Sequence, residues 1–402
     1  MPAILLSSPL TQISGNFLQG SITCTATGLA VPCPTYPNTL TPDQFARLGA
    51  TAGTDIVTVG PPYQAQEAWR SNVQYERQFA HGYSAAVGVI LSRMTKVQGS
   101  RNINAVPSGI TLAGLPVYDL GTAAPGRLYT DMGVVRELCS CETASYRSFT
   151  LETRRLASSK WMPSWDASYT LGRSIDQDSN ERSTSTSFLF DPLNPTLSEG
   201  PSDNDVRHRF IANATYKLPY GVQLSAILQI RSGLPYNGGI AFTGVGIPGS
   251  PSSLNGLSQT TGNIPVFVNG SGSIIDLTQA NGLTRAQFSA FLNAQGASLV
   301  GRNAFRQPNW HTLDMRVTKS FDITAGSRRM QAQIIGEGFN LLNTRNETVG
   351  STNQNRFRAT YTQASGTYQF ADFSSATGFG RTNGYAGTSD PRQAQVALKF
   401  IF

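Results

Sequence analysis

The chain has 402 residues, of which only 14% are charged, and it contains 39 glycines. Soluble globular proteins average about 25% charged residues. The 31 basic and 24 acidic residues leave a net charge of +7. No run of about five or six like charges occurs, which excludes the basic footprint of a nucleic-acid-binding protein.

No window of about 18 consecutive apolar residues occurs, so the sequence predicts no transmembrane helix. The first residues, MPAILLSSPLTQISGNF, lack the basic region and the long apolar region of a signal peptide.

The four cysteines form two close pairs, Cys24 with Cys33 and Cys139 with Cys141. Neither pair has the spacing of a zinc site. An oxidising compartment would allow Cys24 and Cys33 to close a small loop. A bridge between Cys139 and Cys141 is the less favoured candidate, because an extended chain holds alternate side chains far apart and would strain it.

Alternation of apolar and polar residues with a period of two is the dominant pattern, and it predicts β-strands. Phe210, Ala212 and Ala214, for example, alternate with Ile211 and Asn213. The alternating segments are Trp69–Phe79, Tyr83–Met94, Ser145–Leu156, Trp161–Ile175, Arg209–Leu218, Val222–Arg231, Thr312–Phe321, Met330–Asn340 and Gln393–Phe402.

These segments are longer than the usual strand of about five or six residues and match the roughly 9–11 residues that cross a membrane. One face of each is apolar, whereas the other carries Gln, Arg, Asp and Lys, as lipid outside and water inside require. The predicted fold class is therefore all-β: a transmembrane antiparallel up-and-down β-barrel portion of about nine long strands, with long extracellular loops.

The connections between these segments alternate in length. The short ones are Ala80–Gly82, Ala157–Lys160, Pro219–Gly221 and Asp322–Arg329, and the long ones are Gln98–Ala144, Asp176–His208, Ser232–Trp310 and Leu341–Arg392. Outer-membrane barrels combine short periplasmic turns with longer extracellular loops. This pattern predicts that the chain ends at Phe402 on the periplasmic side of a bacterial outer membrane.

Two domains follow from this pattern. Residues 1–66 are predicted as an extracellular loop region with a short helix at Pro42–Leu48, and residues 67–402 as the C-terminal part of a barrel. A second short helix is predicted at Thr284–Ala294, with Thr284 as its cap.

Aromatic residues lie near the ends of the predicted strands, where interfacial girdles form, although ordinary core packing is the alternative. They are Trp69, Trp161, Trp165, Tyr220 and Trp310. A second set lies in the last long loop, where packing within the loop is favoured over ligand binding: Tyr361, Tyr368, Phe370 and Phe373.

No metalloprotease, zinc-ribbon or P-loop motif occurs, so we predict no catalytic, cofactor-binding or metal-binding residues and a protein that is not an enzyme. A G-x-G-x-x-G pattern at Gly244–Gly249 lies in a Pro/Gly/Ser-rich loop without the strand and helix of a dinucleotide site.

Two groups of charged residues remain. The cluster Asp205, Arg207, His208 and Arg209 at a loop–strand junction either contacts substrate or forms ion pairs that order the junction, and we favour the ion pairs. Charges on the predicted lumen face either meet a plug or are solvated: Arg70, Glu76, Asp166, Arg231, Asp314, Arg316 and Lys399.

Several segments resemble a known family. They are SYTLGRSIDQDSN, then DNDVRHRF followed by a strand, a Pro-Tyr-Gly turn and SGLPY, then GFNLLNTRN, and finally SDPRQAQVALKFIF. Over roughly residues 60–402 the chain resembles the C-terminal barrel of the TonB-dependent, Oar-like receptors of Acidobacteria.

The resemblance implies a much longer receptor, with a signal peptide, a carboxypeptidase-regulatory-like domain, a TonB-contacting segment, a plug and a barrel of about 22 strands. An odd number of strands cannot close an antiparallel barrel. We therefore expect a fragment that forms a curved open sheet, with edges near Trp69–Phe79 and Gln393–Phe402.

The implied function is energised uptake of a large scarce solute, with a structural or adhesive barrel and a passive porin as alternatives. The expected partners are outer-membrane lipid, the barrel-assembly machinery and, through the missing N-terminal part, the TonB system. The alternating residues Val396, Leu398, Phe400 and Phe402 are the predicted barrel-assembly signal.

Overall fold

The computed structural model describes residues 54–118, 128, 132–156, 162–179, 190–191, 193–242, 264–325, 328–350, 354–362, 365–372, 379–385 and 391–402. Several predictions lie outside these residues. They concern Cys24, Cys33, the helix at Pro42–Leu48, Trp161, the glycine pattern at Gly244–Gly249 and Phe373.

The described residues are mainly strands. The first twelve are β1 (Thr54–Val59), β2 (Glu67–Gln78), β3 (Tyr83–Asn102), β4 (Pro107–Leu112), β5 (Leu115–Tyr118), β6 (Met132–Arg155), β7 (Ser164–Asp176), β8 (Gly200–Pro201), β9 (His208–Leu218), β10 (Val222–Arg231), β11 (Pro235–Tyr236) and β12 (Gly239–Phe242). The others are β13 (Ile264–Pro265), β14 (Phe267–Val268), β15 (Ser298–Leu299), β16 (Phe305–Arg306), β17 (Trp310–Ala325), β18 (Arg328–Phe339), β19 (Glu347–Val349), β20 (Asn355–Thr362), β21 (Thr367–Asp372), β22 (Thr382–Tyr385) and β23 (Gln393–Ile401). The α-helix α1 spans Arg285–Ala294.

One large sheet organises the molecule. Its strands run in the order β2-β3-β6-β7-β9-β10-β17-β18-β23, and β1 and β8 pair with β6 and β7 beside this path. The nine strands of the path are antiparallel neighbours and correspond one to one to the nine predicted segments. The predicted fold class is confirmed, and the open sheet has its edges at β2 and β23 as expected.

Two short connections contain the same type of tight turn. His81 and Tyr220 have φ angles of 61° and 62°, and each is followed by a glycine, with φ of 76° at Gly82 and 73° at Gly221. Left-handed conformations at both central residues define the type I′ turn, whose twist matches that of the flanking strands. β17 and β18 extend into the predicted connection Asp322–Arg329, where Ala325 is paired with Arg328.

β3 and β6 continue well beyond the predicted membrane segments. The interval Gln98–Ala144 was predicted as loop, but its two ends are strand, and β1 pairs with β6 in parallel there. Both sides of this extension are partly covered by protein, so the apolar–polar alternation disappears. The half-exposed Arg101 donates to the buried Glu137 at 2.5 Å, a pairing that no periodicity reveals.

The long connections pack together into a structure that we call the loop assembly, formed by β4, β5, β11–β16, α1 and β19–β22. Its apolar core includes Leu115, Ile240, Phe288, Phe357 and Tyr368, all with 0% exposure. Prediction of α1 is confirmed, since Thr284 and Gln287 form a reciprocal capping box at its start. The predicted packing of Tyr368 and Phe370 within the loop is also confirmed, since both are buried. The short strands were missed, because strands of two to eight residues pair with segments far away in sequence.

No helix among the described residues is both long enough and apolar enough to cross a membrane.

Candidate functional site

The large sheet has one apolar face that is open to its surroundings. Directly paired residues share a face, and one such row across four strands is Val73, Val89, Phe149 and Leu171. Val73 is 69% exposed and Phe149 43%. Similar rows continue across β9, β10, β17, β18 and β23, which makes this the surface that requires an apolar environment.

The opposite face is polar. A row across four strands there contains Asp166, Asn213, Ile227 and Asp314, and the Asn213 side-chain amide donates to Asp166 at 2.9 Å. All seven predicted lumen charges lie on this face by their register. Arg316 pairs with Glu337, which also accepts from Gln395, so these groups compensate one another across three strands.

An aromatic and basic group lies at the short-turn end of the apolar face. Tyr83 and Trp165 meet edge to face at 6.4 Å, and the Arg155 guanidinium lies 4.9 Å from the Tyr83 ring centre. Tyr83 to Arg93 along β3 spans about 33 Å, or about 25 Å of membrane height at a strand tilt of about 40°. That height equals the apolar band of an outer-membrane barrel.

Trp310 does not belong to this surface. It pairs with Arg231 on the polar face, and the Arg231 guanidinium lies 5.0 Å from its ring centre. The prediction that Trp310 forms part of a girdle on the lipid-facing side is therefore wrong, because the register of β17 places His311 and Leu313 on the apolar face instead.

The predicted junction cluster is only partly brought together. The Asp205 carboxylate is 1% exposed, accepts from the Ser174 backbone amide at 2.5 Å and lies 3.7 Å from Arg207. His208 instead contacts the Tyr169 hydroxyl through its Nδ1 atom at 2.7 Å. Arg209 lies opposite Arg231 on the polar face.

Arg302 and Arg306, from the segment between β15 and β17, complete this region. Arg306 pairs with Asp205. Arg302 is 2% exposed, pairs with Asp176, donates to the Ser198 carbonyl at 2.9 Å and lies 3.7 Å from Asp203. We call Asp176, Asp178, Asp203, Asp205, Arg302 and Arg306 the junction network. It ties three segments that are distant in sequence.

Asp178 is, with Asp205, one of two buried acids of this network. Burial raises the pKa of its carboxyl to about 7, with the neighbouring Asp176 and Asp203 acting in the same direction and Arg302 in the opposite one. One of its oxygens is buried and has no hydrogen-bond partner among the residues that the structure describes. Asp178 therefore holds a proton in the folded network at a pH where an ordinary aspartate has lost it.

Sequence reasoning missed both arginines, although their partners Asp176 and Asp205 lie in the motifs SYTLGRSIDQDSN and DNDVRHRF. Arg302 and Arg306 follow an irregular stretch with no periodic pattern, so no sequence signal linked them to β7 or to residues 198–205. Within the described residues, no group of three acidic, histidine or cysteine side chains is arranged to hold a metal ion.

Cys139 and Cys141 are joined by a disulfide within β6. Their Cα atoms are 5.2 Å apart, less than the roughly 6.7 Å of two extended residues. The β3–β6 register shifts at this place, between Val97 and Gly99. Such a bulge shortens the strand locally, so the two cysteines lie closer together than in the extended strand that the sequence predicts.

The last strand forms one edge of the sheet. β23 pairs with β18 from Gln393 to Ile401, and its apolar-face residues are open: Val396 (78% exposed), Leu398 (68%), Phe400 (61%) and, beyond the strand, Phe402 (94%). Ile401 lies opposite Gln331, close to the β17–β18 turn, so the chain ends at the short-turn end of the sheet.

The chain has similarities to known proteins. A family model described as outer membrane beta barrel domain matches residues 5–395, and a search of curated proteins found no match. The structure is similar to the outer membrane transporter YddB from Escherichia coli (TM-score 0.43, 8% identity, 87% of this chain and 34% of that chain). It is also similar to the FrpB iron transporter from Neisseria meningitidis, F3-3 variant (TM-score 0.36, 7% identity, 89% and 34%).

The chain thus spans about a third of the length of these two structures. The family match covers nearly all of the sequence and agrees with the apolar and polar faces of the sheet. The chain belongs to the outer membrane beta barrel domain family.

Proposed function

We propose that this chain is the C-terminal part of the barrel of a TonB-dependent, Oar-like receptor that takes up a large scarce solute. The observation that carries the proposal is the open sheet with edges at β2 and β23. Unpaired backbone groups are not tolerated in lipid, so a working barrel needs further strands against both edges. About thirteen more would complete the 22 strands of a plugged transporter.

The orientation is part of the proposal. The turns at Ala80–Gly82 and Pro219–Gly221 lie at one end of the sheet together with Phe402, whereas the loop assembly lies at the other. Short turns are periplasmic in outer-membrane barrels and long loops extracellular. The C-terminus would then be periplasmic, and residues 1–66 would belong to the extracellular side. The domain boundary between residues 66 and 67 is part of the same proposal.

A cysteine-labelling experiment tests the orientation. Ala294 is exposed at the end of α1, and Tyr220 is 89% exposed in a short turn. A membrane-impermeant maleimide should label Ala294→Cys on intact cells but Tyr220→Cys only after the outer membrane is opened, with the unsubstituted protein as background. The reverse labelling order would contradict the orientation.

The polar face supports a barrel interior that meets a plug. Charges of both signs lie there, with Arg316 paired to Glu337 and Arg209 opposite Arg231, rather than a ring of one sign. A ring of one sign is what selects ions in an open channel. We propose that the seven lumen charges face a plug supplied by the missing N-terminal part, and that the protein carries out no catalysis of its own.

The coding sequence upstream of Met1 gives the most direct test. The proposal expects an in-frame continuation that encodes a plug, a TonB-contacting segment and about thirteen further strands. A stop codon followed by a separate export signal would contradict it and would favour a smaller structural or adhesive barrel.

Conductance of the complete gene product separates a receptor from a porin. In planar bilayers the intact protein should show no steady conductance, whereas a version lacking the plug should conduct. Steady conductance of the intact protein would support the passive-porin alternative. Uptake that stops when the TonB system is removed would then identify the energised receptor.

A further inference from the structure

Three arginines lie on the apolar face of the sheet at its loop-assembly end. Arg147 on β6 is paired directly with Arg173 on β7. Arg93 on β3 pairs with Ser145, two residues from Arg147 and on the same face. All three line one open cavity of about 270 Å³. Three adjacent strands of the sheet therefore present a compact group of positive charges.

No described side chain forms a pair that compensates these charges. Like charges directly opposite each other in a sheet are destabilising. Within the described part of the chain, none of the three guanidinium groups forms an ion pair or a side-chain hydrogen bond. Glu199, which is exposed, is the one acidic residue among the described residues that line the cavity. A single carboxylate cannot neutralise three arginines.

The cations at the other end of the same face are different. Arg77 lies over the Phe79 ring at 5.5 Å, Arg155 over Tyr83 at 4.9 Å, and Lys319 over Phe321 at 4.9 Å. Each therefore has a partner within the chain, as interfacial cations commonly do. Among the described residues, the three arginines at the loop-assembly end have no such partner, which points to a partner outside the chain.

We propose that Arg93, Arg147 and Arg173 bind the phosphorylated headgroup of a glycolipid in the outer leaflet, with its acyl chains along the apolar row below. Arginine pairs with phosphate through two parallel hydrogen bonds. Leu91 and Phe149 lie directly beside the arginines on the same face, and both are exposed. A ligand with phosphate and acyl chains matches both features, whereas a soluble anion matches only the first.

This inference rests on the orientation proposed above, because the outer leaflet of the outer membrane is the one that contains lipopolysaccharide. The labelling of Ala294→Cys tests that orientation separately. If labelling places the loop assembly outside and lipid binding does not depend on the arginines, only the present inference fails.

The test is a titration of the complete purified receptor in detergent with lipid A, followed by native mass spectrometry. Replacing Arg93, Arg147 and Arg173 by glutamine should weaken lipid A binding at least about tenfold. The matched control replaces Arg77, Arg155 and Lys319 by glutamine, and it should bind like the unsubstituted protein. Equal loss in both triple variants, or no loss in the first, would overturn the proposal.

Two further arms identify the source of the phosphate. Lipid A from which both phosphates have been removed should bind the unsubstituted protein as weakly as the arginine variant binds intact lipid A. Inorganic phosphate at the same concentration should not displace lipid A. Displacement by inorganic phosphate would instead make this a site for a free anion.

A single substitution keeps the test informative if the triple variant does not fold. Arg147→Gln removes the repulsion from Arg173, so the thermal midpoint should rise in lipid-free detergent. With saturating lipid A the same variant should melt below the unsubstituted protein, because it has lost a phosphate contact. A change of the same sign under both conditions would overturn the proposal.

Discussion

Substitution of Arg302 by methionine should open the junction between the loop assembly and the barrel. Arg302 is 2% exposed and Asp176 15%, so the pair is removed from water, and loss of one partner of such a pair costs about 3–5 kcal/mol. Asp203 adds little, since it is 63% exposed and 3.7 Å away. The local opening equilibrium should shift by roughly two to three and a half orders of magnitude.

Hydrogen exchange of the complete protein in detergent measures this opening. The amide of Ser202 donates to the Ser174 carbonyl at 3.0 Å, and that of Asp205 to the Ser202 carbonyl at 2.8 Å. Both amides should exchange faster in the variant, whereas the amides of β10 should keep their protection. Local opening, rather than global unfolding, predicts this contrast.

Two controls make the test specific. Arg345 lies 3.7 Å from Glu347 and is 78% exposed, so Arg345→Met should change stability by at most about 1 kcal/mol. If Arg302 acts through Asp176, then Arg302→Met combined with Asp176→Asn should cost less than the sum of the single changes. An effect of Arg302→Met as small as that of Arg345→Met would refute the reasoning.

Three further predictions follow from other parts of the molecule. The junction network should be more stable at about pH 5 than at about pH 8. Burial raises the pKa of Asp178 from 3.8 to about 7, so between these values the folded state retains a proton that the unfolded chain has lost. The free energy of unfolding therefore falls as pH rises through this range. Hydrogen exchange should show this trend in the unsubstituted protein and not in Asp178→Asn. Phe288→Ala should destabilise the loop assembly by about 3–5 kcal/mol, because the Phe288 ring is fully buried against Tyr368 and Phe370. The control is Phe291→Ala, since Phe291 is only partly buried, and the loss of near-ultraviolet circular dichroism on heating is the measurement. Equal losses in the two variants would contradict the central position of Phe288 in the core. Deletion of residues 400–402 from the complete receptor should cause periplasmic accumulation, measured by cell fractionation, whereas normal outer-membrane levels would show that the last strand carries no assembly signal.

The barrel strands could be predicted from the sequence because each carries its own pattern. A strand with lipid on one side and water on the other must alternate, so Val222–Arg231 was predicted with the bounds that the structure gives to β10. The alternation of apolar and polar residues ends where the two faces of a strand have similar surroundings. The extensions of β3 and β6 were missed for this reason, as was the inward position of Trp310.

The loop assembly and the junction network depend on contacts between residues far apart in the chain. Arg302 contacts Asp176 across 126 residues, and the sequence around Arg302 carries no periodic signal. The helix α1 was an exception, because its capping box lies within four consecutive residues. Features formed by neighbouring residues, such as the helix cap, could be predicted in these loops. Contacts between residues that only folding brings together could not.

The shared type I′ turns have a consequence for how such a barrel changes during evolution. Each of them, at His81-Gly82 and at Tyr220-Gly221, closes two strands into a unit that begins and ends at the same side of the membrane. Duplication or loss of a whole unit leaves the direction and the face of every later strand unchanged. Loss of a single strand would reverse all of them, so gene rearrangements that preserve the fold must act on pairs of strands.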